Sequence, residues 1–243
     1  MELKNKTALV TGATGGIGKT VAIALAERGV QVCFQYRDRD EVAHQLAENL
    51  KSYGTKTHSI KRTLSDATSS QALIEECLQV FGGLDILVNC IGDFLFKPLQ
   101  EQTPQDFRDI IHSNLNIAFD LCHYALPALR AKKEGRIVNL GYSTATQIEA
   151  KPRILPYHIA KIGLVLLTKS FSYTEAENNV LINCVSPGIA ENSIEVPSSK
   201  IPLGRPAKLS EIADSVIFLL QSDYITGCNL EVDGGWRGRY LHS

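Results

Sequence analysis

From one end of the chain to the other, short β-rich runs alternate with segments of helix length. This alternation constrains the fold more than any other property of the 243 residues. The runs are Thr7–Val10, Gln31–Phe34, Thr57–Ile60, Ile86–Asn89, Arg136–Leu140, Leu181–Val185 and Asn229–Val232. Several are continuously apolar, as strands covered on both faces are. Between them the sequence predicts helices over Lys19–Arg28, Asp40–Ser52, Ser69–Phe81, Asn114–Arg130, Tyr157–Glu177 and Ser210–Leu220. In the fourth of these, Leu115, Ala118, Cys122, Ala125 and Leu129 form one apolar stripe at helical spacing. The pattern predicts an α/β fold: a Rossmann-type, doubly wound parallel sheet of about seven strands, with right-handed crossovers and helices on both faces. No repeat, low-complexity tract or linker divides it, so residues 1–243 read as one domain.

Composition narrows the function classes. Hydrophobic residues at 44% and charged residues at 21% argue against disorder. A net charge of −1 gives no electrostatic reason to expect nucleic acid or an anionic membrane as partner. No apolar run approaches the roughly 18 residues of a membrane span, and the polar start Met1–Lys6 does not resemble an export signal. The six cysteines are scattered without a C-x-x-C pair, which fits a reducing cytoplasm. The six histidines show no ligand-like spacing, so no metal is expected, and His158 reads as structural.

A doubly wound sheet hosts many activities, so function has to be read from the loops at the carboxyl ends of its strands. The first loop is Thr11-Gly12-Ala13-Thr14-Gly15-Gly16-Ile17-Gly18, between strand and helix. Glycines let a backbone pass close to a pyrophosphate, and the helix N-terminus offers that anion free N–H groups. The plainer reading is a glycine-rich turn without a ligand. The second strand leads to Tyr36-Arg37, where an arginine suits the 2′-phosphate of NADP and an acid would suit NAD. Arg37 also reads as a solvated surface charge within Arg37-Asp38-Arg39-Asp40. Tyr157 and Lys161 stand four residues apart on a predicted helix, on one face. An ammonium beside a phenol favours the phenolate and moves its pKa toward the useful range.

With these residues in hand the chain resembles the short-chain dehydrogenase/reductases over essentially its whole length. The resemblance is carried by TGATGGIG at 11–18, NCIG at 89–92, Asn114 in HSNLN, YHIAK at 157–161, SPG at 186–188 and the closing stretch 202–236. The pattern is most similar to the 3-oxoacyl-[acyl-carrier-protein] reductase branch. It implies that hydride passes from NADPH to a carbonyl carbon while Tyr157 protonates the oxygen. Lys161 would lower the Tyr157 pKa and bind the nicotinamide ribose, and Asn114 would hold a relay water. Gly12, Thr14, Gly15, Gly16, Ile17, Gly18, Arg37, Leu64, Asn89, Gly92, Pro187 and Gly188 would line the cofactor. The substrate would be a small molecule or an acyl thioester, free or bound to a carrier protein, and the protein a homo-oligomer, tetramer or dimer. The tail 237–243 fits subunit contacts.

The sequence departs from the family pattern where a catalytic serine is expected. Counting forward from Arg136, that position falls on Tyr142; counting back from Tyr157, it falls near Thr144. Ser143 lies between them and is taken as the catalytic hydroxyl. The family's adenine-contacting Asp is replaced around Thr63-Leu64, with Asp66 nearby, and Asn192 or Ser193 stands where a carboxamide-contacting threonine is usual. Lys151 and Arg153 could meet an anionic substrate, or be solvated loop charge. The segment about 189–201 is a short substrate loop. The altered serine turn keeps two alternatives open: reduction of another ketone or of a pterin-like C=N bond, and a catalytically weak NADP-binding sensor or scaffold.

Overall fold

The computed structural model describes residues 1–193 and 198–236. Seven strands, all parallel, form one sheet: β1 (Thr7–Thr11), β2 (Gln31–Tyr36), β3 (Thr57–Lys61), β4 (Ile86–Asn89), β5 (Arg136–Leu140), β6 (Leu181–Pro187) and β7 (Asn229–Val232). Their order is β3-β2-β1-β4-β5-β6-β7. The helices are α1 (Gly16–Ala26), α2 (Asp40–Lys51), α3 (Ala67–Phe81), α4 (Pro104–Ile111), α5 (Ile117–Lys132), α6 (Leu155–Glu175) and α7 (Leu209–Gln221). Part of the expected substrate loop (194–197) and the tail 237–243 lie outside the described residues.

The continuous apolar runs have a direct cause. Side chains alternate across a strand, and here each face is covered. Ala8, Val10, Ile86, Val88 and Val138 enter one core with α1, α2 and α7; Leu9, Leu87 and Ile137 enter the other with α3 and α5. A strand that is buried on both sides has no polar phase to show.

The order of the strands reverses at β1, which has β2 on one side and β4 on the other. The chain winds outward in both directions from that point, leaving a crevice at the carboxyl ends of β1 and β4. Every loop carrying the motifs read from the sequence opens toward this edge.

Predicted and observed elements agree to within a few residues except in one region. The sequence reading had no helix before Asn114, yet α4 occupies Pro104–Ile111. Thr103 caps it by accepting from the Asp106 amide, Asp106 accepts from the Thr103 amide in return, and Pro104 stands in the first turn. Residues His112–Asn116 then form a π turn, so α5 begins at Ile117 rather than Asn114. No helix among the described residues is long and apolar enough to cross a membrane.

Candidate active site

The loop leaving β1 is shaped by contacts that exclude side chains. Gly12 has φ +64°, and a Cβ there would lie 2.9 Å from the Cys90 carbonyl oxygen beyond β4. Gly18 sits against the Ala13 Cα, where a Cβ would come within 3.0 Å. Gln35, fully buried on β2, holds the loop in place: its Oε1 accepts from the Gly12 amide at 2.9 Å, and its Nε2 donates to the Arg62 carbonyl at 2.6 Å. The N-cap of α1 is Gly15, which offers no side-chain acceptor, and the first turn carries no acid. The leading N–H groups of α1 therefore remain for an anion, so the cradle fits a pyrophosphate. Across from it, a Cβ on Gly16 would collide with the Asn192 side-chain amide, which places Asn192 over the start of α1. Ser193 is turned to its own loop, its Oγ accepting from the Ala190 amide at 3.0 Å.

At the far end of the crevice, Arg37 is half-exposed and bridges Asp38 at 3.2 Å and Asp93 at 3.4 Å. The Asp93 carboxylate, with Asp38, raises its pKa further. Arg39, which sequence reasoning did not single out, reaches back over the glycine loop to the Thr14 carbonyl at 3.4 Å. Leu64 and Asp66, near the expected adenine position, both have side chains engaged by the protein itself. Leu64 is buried in the core beneath the sheet, because its apolar side chain packs with Ile60, Leu73 and Leu87. Asp66 is committed to α3, whose Ser69 amide it accepts at 2.7 Å. Asn89 is also turned inward: its amide donates to Asn139 at 2.9 Å, and Asn139 donates to Thr168 at 3.0 Å.

The opposite end gathers the titratable residues. Gly92 has φ +150°, and a Cβ would run into the Asn114 side chain. Asn114 lies in the π turn, where its Nδ2 donates to the Asp93 carbonyl at 2.8 Å and the Ile110 carbonyl at 3.0 Å. Its Oδ1 is buried without a partner. Tyr157 and Lys161 occupy the first turns of α6. The Lys161 ammonium is buried, donates to the Leu140 carbonyl at 2.7 Å, and lies 5.5 Å from the centre of the Tyr157 ring. Burial pulls its pKa down to about 8. Burial pushes the Tyr157 phenol up, with Tyr142 and Cys184 adding to the shift. Desolvation of the phenol is the largest cause of that rise.

Around Tyr157 stand two further rings. Phe94 meets it edge-on at 5.0 Å and 88°, and Tyr142 at 5.7 Å and 62°. Ser143, the residue chosen from sequence, is 1% exposed, and its Oγ is enclosed without a partner, as is the Thr144 hydroxyl. The Ser143 amide donates to the Pro187 carbonyl at 3.0 Å, tying the turn to the end of β6. Gly188 follows, backed by Asp233, whose Cβ would be 2.7 Å from any Cβ added there. Of the loop charges, Lys151 pairs with Glu149 at 2.9 Å and Arg153 lies over the Phe96 ring at 5.3 Å. His158 is buried, with its Nε2 3.1 Å from the Gln147 carbonyl oxygen.

The sequence profile of a family described as enoyl-(acyl carrier protein) reductase matches residues 12–237. The 3-oxoacyl-[acyl-carrier-protein] reductase FabG of Staphylococcus aureus is 33% identical over 241 residues, covering 95% of this chain and 97% of that protein. The chain belongs to the short-chain dehydrogenase/reductase family. FabG of Vibrio cholerae is likewise 33% identical, with 97% of this chain and 98% of that one covered. A double variant of a short-chain dehydrogenase/reductase from Serratia marcescens superposes with a TM-score of 0.91 at 29% identity, covering 98% of this chain and all of its own. As a short-chain dehydrogenase/reductase with these relatives, the protein is an oxidoreductase.

Proposed function

We propose that this oxidoreductase reduces a carbonyl to an alcohol using NADPH, with a 3-oxoacyl thioester as the leading substrate, free or on a carrier protein. The observation that carries the reading is the pairing on α6: a half-buried Tyr157, with the buried Lys161 ammonium 5.5 Å from the centre of its ring. The raised pKa keeps Tyr157 protonated at neutral pH, the form a proton donor needs. Similarity to the FabG proteins supports the substrate class.

The N-terminus of α1 and the Gly12–Gly18 loop hold the cofactor's pyrophosphate, and Arg37 with Arg39 meets its 2′-phosphate. Gly92, Pro187 and Gly188 border its nicotinamide end. When bound, NADPH supplies the hydride. Tyr157 gives its proton to the acceptor oxygen, and Lys161, titrating near 8, is the adjacent group that can restore it. The unpartnered Asn114 Oδ1 accepts from a water that links Lys161 to the outside. The turn Tyr142–Thr144 supplies a second hydroxyl to the acceptor. The whole operates as one nucleotide-binding domain over 1–243, assembled as a dimer or tetramer through the exposed Phe119, Leu166 and Tyr173 of α5 and α6.

The Phe94 and Tyr142 rings flanking Tyr157 favour one second reading, a flat ring reduced at C=N, because planar rings pack well on aromatic walls. The deciding experiment follows NADPH and NADH oxidation with acetoacetyl thioester, small ketones and pterin-like rings. Thioester-dependent NADPH oxidation that disappears in Tyr157→Phe, with cofactor affinity retained, is the expected result. Turnover that survives in Tyr157→Phe would remove the reading.

A further inference from the structure

Three neighbouring residues after β5 carry hydroxyls, and the structure separates them sharply. Ser143 and Thr144 are buried, and their oxygens are sealed from solvent by the surrounding chain. Gly141 explains why they are held down: a Cβ there would collide with the Ser186 Oγ and come 2.7 Å from the Cys184 Sγ, so the turn is packed flat against β6. Tyr142 is different. It is half-buried, it is the member of the three that touches the Tyr157 ring, and it stands on the side of the turn that faces α6. His158 fixes its plane by meeting it at 6.2 Å and 86°.

We propose that Tyr142 is the second hydroxyl of this site: its phenol, rather than Ser143 or Thr144, donates the hydrogen bond that holds and polarises the acceptor atom which Tyr157 protonates. This rests on the reductase reading above. A phenol reaches farther from its backbone than a serine hydroxyl does, so the exchange of Ser for Tyr is compatible with a turn that lies deeper. The electrostatics agree, since the two phenols are close enough for Tyr142 to raise the Tyr157 pKa. An atom gaining negative charge is best held by two donors, and the adjacent Tyr142 ring brings a second phenol beside that of Tyr157. The proton that ends on the acceptor is still that of Tyr157; Tyr142 keeps its own.

The arrangement also bears on what can enter. Phe94 and Tyr142 both pack edge-on against the Tyr157 ring, so the proton donor is flanked by aromatic side chains. Flat or unbranched groups next to the reacting atom fit between such rings, whereas a branched neighbour meets one of them.

The test uses the full-length protein with NADPH and the panel of acetoacetyl thioester, small ketones and pterin-like rings. Tyr142→Phe keeps the ring and its packing and removes only the oxygen. It is expected to lower kcat by about 100-fold or more, with thermal stability and NADPH affinity as in the wild type. Ser143→Ala and Thr144→Val are expected to lose less than Tyr142→Phe. Wild-type kcat in Tyr142→Phe, or a larger loss in Ser143→Ala, overturns the assignment while leaving the reductase reading standing. A wild type that turns over nothing in the panel, or a Tyr157→Phe variant that remains active, overturns the reading and this assignment with it.

Discussion

Lys161 is the residue whose setting has the clearest functional consequence. It is buried, and desolvation lowers its pKa to about 8. Below that value the ammonium is charged; as pH rises through it, the charge and the available proton are lost together. The kcat/KM for NADPH reports on the free enzyme. It is therefore expected to fall as pH rises through about 8. Lys161→Arg keeps the charge fixed, so that fall should vanish from its pH profile even though its rate is lower. A wild-type profile flat from 7 to 10 would contradict this. At this scale the sequence was informative where chemistry depends on spacing along one helix, as with Tyr157 and Lys161. It was silent where the backbone decides how deep a side chain lies. The turn around Ser143 can be counted from either end of its loop, but its depth, with Ser143 buried and its amide hydrogen-bonded to the Pro187 carbonyl, is not written in that count. Gln35 could not be read as a loop support, because its partners, Gly12 and Arg62, come from distant segments.

Among the elements, strands were the most legible. Two covered faces favour a run that is apolar along most of its length. The stretch between β4 and α5 was the least legible, although Thr103-Pro104-Gln105-Asp106 holds a capping box and a first-turn proline that announce a helix. The π turn over His112–Asn116 leaves no such mark, since it is a change in hydrogen-bond register within an otherwise helical stretch. That turn is nevertheless what brings Asn114 against Gly92. With φ at +150° and no room beside Asn114, Gly92→Ala should destabilise the protein by about 1–3 kcal/mol. It should also weaken NADPH binding, because the Asp93 carbonyl that anchors Asn114 belongs to the same loop. Denaturant unfolding and a fluorescence titration check the two effects. Unchanged stability would mean that the loop relaxes freely, and that Asn114 is not held by it.

For the molecule as a whole, the family, the sheet and its parallel winding were readable because motifs and alternation recur in a fixed order. The packing of the two ends was not. Helix α1, which presents its free N–H groups to the crevice, lies against α7, and both bury their apolar faces in one core. Ile212, fully buried on α7, makes this dependence measurable. Ile212→Ala is expected to cost about 2–5 kcal/mol in denaturant unfolding; a loss below 0.5 kcal/mol would show that α7 is not integral to that core. The same pairing sets an order on the protein's birth. At about 5–20 residues per second, α1 emerges from the ribosome roughly ten to forty seconds before the helix that will cover it. Through that interval the anion-binding turn has been made, and its helix has β1, β2 and α2 to pack on but lacks α7, the helix it meets most extensively. The site that begins at Gly12 is finished only when α7 has been synthesised.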